Sequence, residues 1–521
     1  MMQRTDSRRG TAFLIAMVLT VLFLGFTLSL LGMAVAHSND AWATAENLRA
    51  LMAAEAGLHE AIADLNRGGD GTVSGAFGGV TFDARAIQAG DRWLIDSVGT
   101  SQGFRRATRT VAVPALPVPV DRAAITIVGP AGDAAALDTV SSSGGNVLVS
   151  GMSAGLPAVG VEDPLTYTTI LEDLVPKIAS GAVSDNTFRG TPEVTYTASD
   201  GSSAEVPILE MPTPEWDDEK LEMLRTRLID KVINGLIPTA TMTYGPGSTT
   251  FTSPTTLGGV TVIDGASLNA DSNVNGSGIL IIRGGSLAVS THSQFHWNGT
   301  VFVLGKAGAG AELVNAGGTM TVQGNVIVLG DQGSASNLTI ASGQSNSNTL
   351  INGAVLLMAG GAANDAARFQ VGSGGVNMHG WVGIFGATAQ IYATNQQGVF
   401  NVLGSMTVGV DGSDPQDGLA EIDFDGNVHV QYNQNHLDRA IAGLLGLISS
   451  LQLPPPTYRS QGWVEISPLV AYQPNGAALD YTPSMPAAAP GSGSGLSTSP
   501  DTGGKGSLRV GGGPSSGGGK K

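Results

Sequence analysis

Apolar residues run without a charge from Thr11 to Ala36, TAFLIAMVLTVLFLGFTLSLLGMAVA. As a helix rising about 1.5 Å per residue this stretch covers roughly 39 Å, more than the ~30 Å hydrocarbon core of a bilayer. The helical pattern continues beyond it. Ser38 to Leu65 is rich in Ala, Leu and Glu, with no glycine or proline before Gly57. There Trp42, Ala45, Leu48, Leu51, Met52, Leu58, Ile62 and Leu65 recur near every 3.6 residues, which predicts a half-buried amphipathic face. The reading is one rod: a basic leader at 1–10, a transmembrane helix at 11–36 and its exterior continuation at 37–66. Arg4, Arg8 and Arg9 precede the span and Asp40 is the first acid after it, which places the N-terminus in the cytoplasm and exports the bulk. A secretory signal has a shorter apolar core of about 7–15 residues. It also has no reason to run unbroken into such a helix, so cleavage near Ala34 to Ala36 is not expected.

The period then changes to two. After a glycine-rich hinge from Gly68 to Gly79 come VTFDARAIQ, DRWLIDSVG and RRATRTVAV, with turns at Ala89-Gly90-Asp91 and Thr100 to Gly103. This predicts an antiparallel meander over 67–119, packed on the outer helix and closed by a stiff connector at Pro114, Pro117 and Pro119. Arg105, Arg106 and Arg109 read as a solvated strand edge that discourages sheet-to-sheet aggregation. Residues 120–240 read as a mixed linker and cap: strands at ITIVG and NVLVSGM, a short helix at YTTILEDLVPKI, and a clearer one from Glu215 to Gly235. The stripe Leu221, Leu224, Leu228 and Val232 on that second helix is expected to cap the end of the next domain.

From 241 to 432 the chain repeats. Two apolar residues at alternate positions, a glycine and a second apolar run recur as Phe295-x-Trp297-x-Gly299, Met320-x-Val322-x-Gly324, Ile351-x-Gly353, Val376-x-Met378-x-Gly380, Phe400-x-Val402-x-Gly404 and Ile422-x-Phe424-x-Gly426. The glycines are spaced by 25, 29, 27, 24 and 22 residues, and an earlier unit around Gly276 fits with a shifted register. Two short strands meeting at a glycine corner on this period predict the coils of a parallel β-helix. At about 4.8 Å per coil, seven coils make a rod of roughly 30 Å. A β-sandwich would instead show hairpin turns every 8–12 residues or so, with no glycine in register. Residues 433–483 read as a C-terminal cap, with an amphipathic helix over Leu437 to Leu451 stopped by Pro454-Pro455-Pro456. The Gly, Ser and Pro of 484–521 cannot bury a core and are expected to be disordered. The fold class is thus α+β and membrane-anchored: a long helix, a small meander, a parallel β-helix with helical caps, and a tail.

Composition narrows the chemistry. A net charge of −17 argues against nucleic acid as a partner, and the absence of cysteine removes disulfides, thiol catalysis and thiolate zinc sites. Between Gly285 and Val408 the charged residues are Lys306, Glu312, Asp331, Asp365 and Arg368, too scattered for the paired carboxylates of a glycan-cleaving β-helix enzyme. His292 and His296 have no third ligand nearby. Asp411, Asp414 and Asp417 lack EF-hand spacing, and GGKGS near Gly503 lacks that of a phosphate loop. No catalytic residue, metal or cofactor is expected, and the chain does not read as an enzyme.

Arg9-Gly10 followed by Thr11-Ala12-Phe13-Leu14-Ile15, and Ala54-Glu55-Ala56-Gly57-Leu58 some forty residues on, together resemble the pilus-assembly PilX N-terminal family over about residues 8–66. The repeat region, from GILII to GNVHVQYNQ and QGWVEI, looks like the polymer-forming-type β-helix attached to some such N-termini. The resemblance implies a minor pilin-like subunit of a type IV pilus, held in the inner membrane. Its partners would be the membrane, other pilin-like subunits and the pilus assembly machinery, with processing between Gly10 and Thr11. Major pilins carry a glutamate five residues after the processing glycine; here that position is Ile15, a departure that minor subunits often share. The alternative is an anchored adhesin or envelope scaffold that takes surface ligands or self-associates through the β-helix.

Overall fold

A computed structural model describes residues 6–129, 136–138, 146–213, 216–306, 310–330, 338–342, 347–359, 366–371, 374–386, 388–393, 399–410, 419–424 and 426–467. The expected tail at 484–521, the first half of the leader, and Asp411, Asp414 and Asp417 lie outside these residues. Helix α1 runs unbroken from Asp6 to Asn66, so the apolar stretch and the amphipathic stretch after it are one rod. The rest of the described chain is largely β, dominated by parallel sheets.

The meander has one strand more at each side than the pattern predicts. β1 (Val73–Phe77), β2 (Val80–Ala89), β3 (Arg92–Ser101) and β4 (Phe104–Ala115) pair antiparallel in order. The stretch read as a hinge at 68–79 therefore holds a strand, because Val73 and Phe77 find partners in Ala84 and Val80. Beyond β4 the strand Thr457–Ile466 adds antiparallel, bringing QGWVEI back from the far end of the chain. This corrects the reading of the arginines. β4 is an inner strand: Arg109 forks onto Asp96 at 2.6 and 2.7 Å with both side chains largely buried, and Arg106 reaches Glu465 at 2.9 Å, leaving only Arg105 exposed. The carboxylate hydrogen bonds raise the Arg109 pKa above its ordinary value, so the pair stays charged. The proline connector is not a free linker either. Leu116, Val118 and Val120 are buried, and the Pro119 and Val120 carbonyls accept from Thr407 and Ser405.

The two large sheets hold 16 and 9 strands, and every described pair in them is parallel. Long strands of the larger sheet, Val274–Arg283, Gln294–Leu304, Asn348–Met358, Gly375–Gly386 and Val399–Val410, alternate along the chain with short strands of the smaller. Each long strand crosses a corner at a glycine. Gly278 lies beside Gly299, Gly353 beside Gly380 and Gly380 beside Gly404. At Gly278, Gly299, Gly324, Gly353, Gly380 and Gly404 φ is between 100° and 158°, and an added Cβ would overlap the carbonyl oxygen of the preceding glycine in the column. Only glycine fits there. Two registers change against the sequence reading. The early unit is in line through Gly278, with Gly276 opposite Trp297. Gly426 is outside the column: Ile422 and Phe424 belong to the smaller sheet, and Val428, Val430 and Tyr432 take the places of Phe400, Val402 and Gly404. At Tyr432 the chain leaves the corner for a helix, and the need for glycine ends there.

Burial differs on the two sides of the corner. Before it, buried and exposed residues alternate, as at Phe295, His296, Trp297 and Asn298. After it, runs such as Val301 to Leu304 and Val326 to Leu329 are buried at every position, and the helix Gln434–Ser450 lies against the strands Asn348–Met358, Gly375–Gly386 and Val399–Val410. α2 spans Pro164–Ala179, α3 Asp218–Asp230 and α4 Gln434–Ser450. Leu221, Leu224, Leu228 and Val232 are buried as the stripe predicts. However, α3 flanks the sheet instead of capping its end. Trp216 stacks on Phe385 at 5.8 Å, Arg225 donates to the Gly330 carbonyl, and the chain continues down to the first strand at Met242–Tyr244. α4 also lies along the flank, with His436 against His379, Ala440 over Gly380 and Gly443 beside Asn325. The helix that does sit at an end is α2, against Val159–Val161 and Ile208–Glu210. Residues 120–161 are not a linker: Ile125–Val128 pairs with Met406–Gly409 and Val147–Ser150 with Val428–Gln431 in the larger sheet, and Ala136–Asp138 pairs with Glu421–Asp423 in the smaller.

Replacing Gly380 by Ala should lower stability by about 2–3 kcal/mol, because a Cβ at positive φ meets both the Gly353 carbonyl and Ala440. Gly446→Ala, on the exposed side of α4 with open space around it, should instead gain up to about 1 kcal/mol. Denaturant midpoints followed by tryptophan fluorescence check both; equal midpoints would reject the corner argument.

Candidate functional site

The feature that the rest of the fold leaves unsatisfied is α1. From Phe13 to Val35 its large apolar side chains are 48–74% exposed, and no part of its most apolar window is buried against the protein. The helix is long and apolar enough to cross a membrane. Its hydroxyls suit that setting: Thr20 donates to the Ala16 carbonyl at 2.8 Å and Thr27 to Phe23 at 2.9 Å, so neither is left unbonded in lipid. Gly25 and Gly32 have nothing within 4 Å, which leaves the backbone open to close approach.

Beyond the span one face of α1 meets the meander, and it is a face of small residues. Ala50, Ala53, Ala54 and Ala61 are fully buried, with Leu58 and Leu65 at the far end. An added Cβ at Gly57 would overlap the Ser97 hydroxyl and the Phe82 ring; one at Gly99 would overlap the backbone of Ala50 and Ala54. The helix and β3 thus touch nearly backbone to backbone. Of the motif residues, Ala54, Gly57 and Leu58 make this contact, and Glu55 and Ala56 lie half-buried at its margin. Arg9, Gly10 and Thr11 fall in the first turns of the helix.

Small residues draw the contact face away from the predicted stripe. Trp42, Leu48 and Met52, expected to be packed, are 53%, 52% and 54% exposed. At about 100° per residue Ala41, Ala45, Leu48 and Met52 line up on the side opposite the sheet. The sequence reading missed Glu46, which is 3% exposed on the contact face. It accepts from the Ser101 hydroxyl and from Arg49, the latter at 2.7 Å. Its spacing from Ala50, Ala53 and Gly57 was the available signal. Above it Trp42 meets Phe104 edge-on at 5.8 Å, fixing the tip of the β3–β4 hairpin to the rod.

No protein-family model, no curated protein and no solved structure matches the chain.

The other candidates do not gather into a site. His292 and His296 are exposed, and no cluster of three metal-ligating side chains occurs among the described residues. A cleft of about 1120 Å³ separates the meander from α4, but its ionic groups pair with one another, Lys220 with Asp217 and Arg459 with Asp121. The pair His379 and His436, with ring centroids 5.0 Å apart, is the contact that pH should affect. Burial, then the neighbouring His436, lowers the His379 pKa.

Gly57→Leu should push α1 off the sheet and raise hydrogen exchange across β2 and β3, whereas Leu48→Ala on the opposite face should leave exchange unchanged. Equal effects would mean that the contact face has been misassigned. For His379 the folded chain binds a proton less readily than the unfolded one. Its share of stability is therefore full above about pH 6.5, the ordinary histidine value, and is lost as pH falls through the range below it. The denaturation midpoint of the wild type should fall more steeply between pH 7 and 5 than that of His379→Asn; parallel curves would exclude the pair as a source of pH dependence.

Proposed function

We propose that this protein is a PilX-type, pilin-like structural subunit, held in the inner membrane by α1, with its N-terminus cytoplasmic and its β region exported as a parallel β-helix. The observation that carries this reading is the exposed apolar face of α1, which runs from Phe13 past the span to Met52. At about 1.5 Å per residue that is roughly 58 Å, about twice a ~30 Å hydrocarbon core. A bilayer covers the first half. The second half, Ala41, Ala45, Leu48 and Met52, calls for another protein, and helices of like subunits have the shape for it. In a filament α1 exchanges lipid for side-chain contacts at Gly25, Gly32 and Ala34. The stacked parallel pairing, with a glycine at each corner, supports the β-helix. A body this large is hard to repeat around a shaft, which favours a tip or priming position. The role is structural, not enzymatic, with no cofactor.

A second reading has one observation in its favour. Outward from the corner column the larger sheet shows uncharged side chains in register, among them Asn298, Gln323 and Asn352, with Asn352 donating to Gln323 at 2.9 Å. A scaffold that stays anchored would have such a face for surface ligands.

Processing separates the two. Mass spectrometry of sheared filaments should find a chain beginning at Thr11, and Leu22→Arg, costing about 3 kcal/mol at mid-bilayer, should remove it from that fraction. An intact N-terminus confined to membranes would establish the scaffold, and a start near His37 would make the span a signal peptide.

A further inference from the structure

The two ends of the stacked sheets are finished differently. At one end α2 buries Ile170, Leu171, Leu174 and Val175 against the last strands, and the hairpin Val194–Thr197 with Ser203–Val206 sits beside it. At the other end the terminal strands are Met242–Tyr244 and Thr255–Leu257 in the larger sheet and Gly247–Phe251 in the smaller. Met242–Tyr244 is paired on one side only, to Thr261–Ile263, Thr255–Leu257 to Val274–Gly276 and Gly247–Phe251 to Ala266–Ala270; no described strand pairs with the other side, and the helical turn Ile237–Thr239 packs against Val260–Asp264. α3 and α4, which the sequence suggested as caps, lie along the flank and leave this end open.

An open edge presents unpaired N–H and C=O groups, and proteins usually guard it with lysine or another charge. Here there is none. From Val232 to Ile263 the chain carries no Asp, Glu, Lys or Arg, although the whole chain has a net charge of −17. Two copies of a chain with this net charge meet here without like charges facing each other. Tyr244 and Phe251, in edge-to-face contact at 5.6 Å, and the exposed Met242 give the edge an apolar part to bury.

We propose that this edge docks on the same edge of a second copy. Identical edges brought together by a two-fold axis run antiparallel, so Gly247–Phe251 of one chain pairs with Gly247–Phe251 of the other, an isologous contact. Because the opposite end is covered, the assembly stops at two and does not extend into a polymer. The inference rests on the sheet edges alone and stands whether or not α1 enters a filament.

The full chain has no cysteine, so single cysteines report contacts directly. In detergent-solubilised full-length protein, Thr249→Cys, which the two-fold places opposite its own copy, should oxidise to a covalent dimer, and Ser203→Cys, exposed at the covered end, should not. Light scattering should give a dimer mass for the wild type. The double variant Ser248→Lys with Thr250→Lys, whose side chains are exposed, should return a monomer with an unchanged circular dichroism melt. Four results would overturn the proposal: a wild-type monomer at all concentrations, equal cross-linking at both cysteines, a dimer that survives the lysines (which would place the contact on α1), or species larger than two.

Discussion

The stacked sheets depend on one close approach. Where the backbone rounds the corner at Gly380 it lies against the carbonyl of Gly353, and Gly404 in turn lies against Gly380. Parallel strands cannot be joined by a tight hairpin, so the chain passes through a strand of the smaller sheet before it returns beside its neighbour. The hydrogen-bond ladder stays in register only if successive long strands bend at matching positions. The corner glycines fix those positions. Length in the connections is then free, which is why the spacing from Gly299 to Gly404 varies between 24 and 29 residues while the strands remain aligned.

This constraint explains what the sequence revealed and what it concealed. Corner glycines, alternating runs and the stripe Leu221, Leu224, Leu228 and Val232 are set by local geometry, so they can be read from neighbours in the chain. Gly426 was misleading because Ile422-x-Phe424-x-Gly426 copies the local pattern in the other sheet, while the true counterpart ends at Tyr432, where α4 begins. Pairing between distant segments leaves no such local trace. Nothing near Ile125 says that it will lie beside Met406, or near Trp463 that it will lie beside Thr110. The direction of the helices was hidden for the same reason. An amphipathic stripe reports that one face is covered, not whether it covers an end or a flank. The buried runs after the corners, such as Val355 to Met358, were the available hint that a helix lies across the sheet.

The exterior half of α1 follows a different rule. Its burial is decided by size more than by hydropathy: alanines and Gly57 face the sheet, and the larger Leu48 and Met52 face away. A periodicity count that weights large apolar residues therefore selected the wrong side for half of its members. Glu46 fits the corrected face because Ser101 and Arg49 satisfy its oxygens, so the close contact does not leave a buried charge unpaired.

Both surfaces the fold leaves open lack charge in a strongly acidic protein, and they lie on different elements. α1 offers an apolar helix face that continues to Met52, and the strands at Met242 and Gly247 offer a sheet edge paired on one side only. A helix face recruits by side-chain packing, which tolerates sliding and rotation. A sheet edge recruits by backbone hydrogen bonds, which fix register and direction. Because the two act through different chemistry, a change at one need not disturb the other. The proline-containing strap at 114–121, fastened to Thr407 and Ser405, joins the meander that α1 packs on to the parallel sheet that carries the edge.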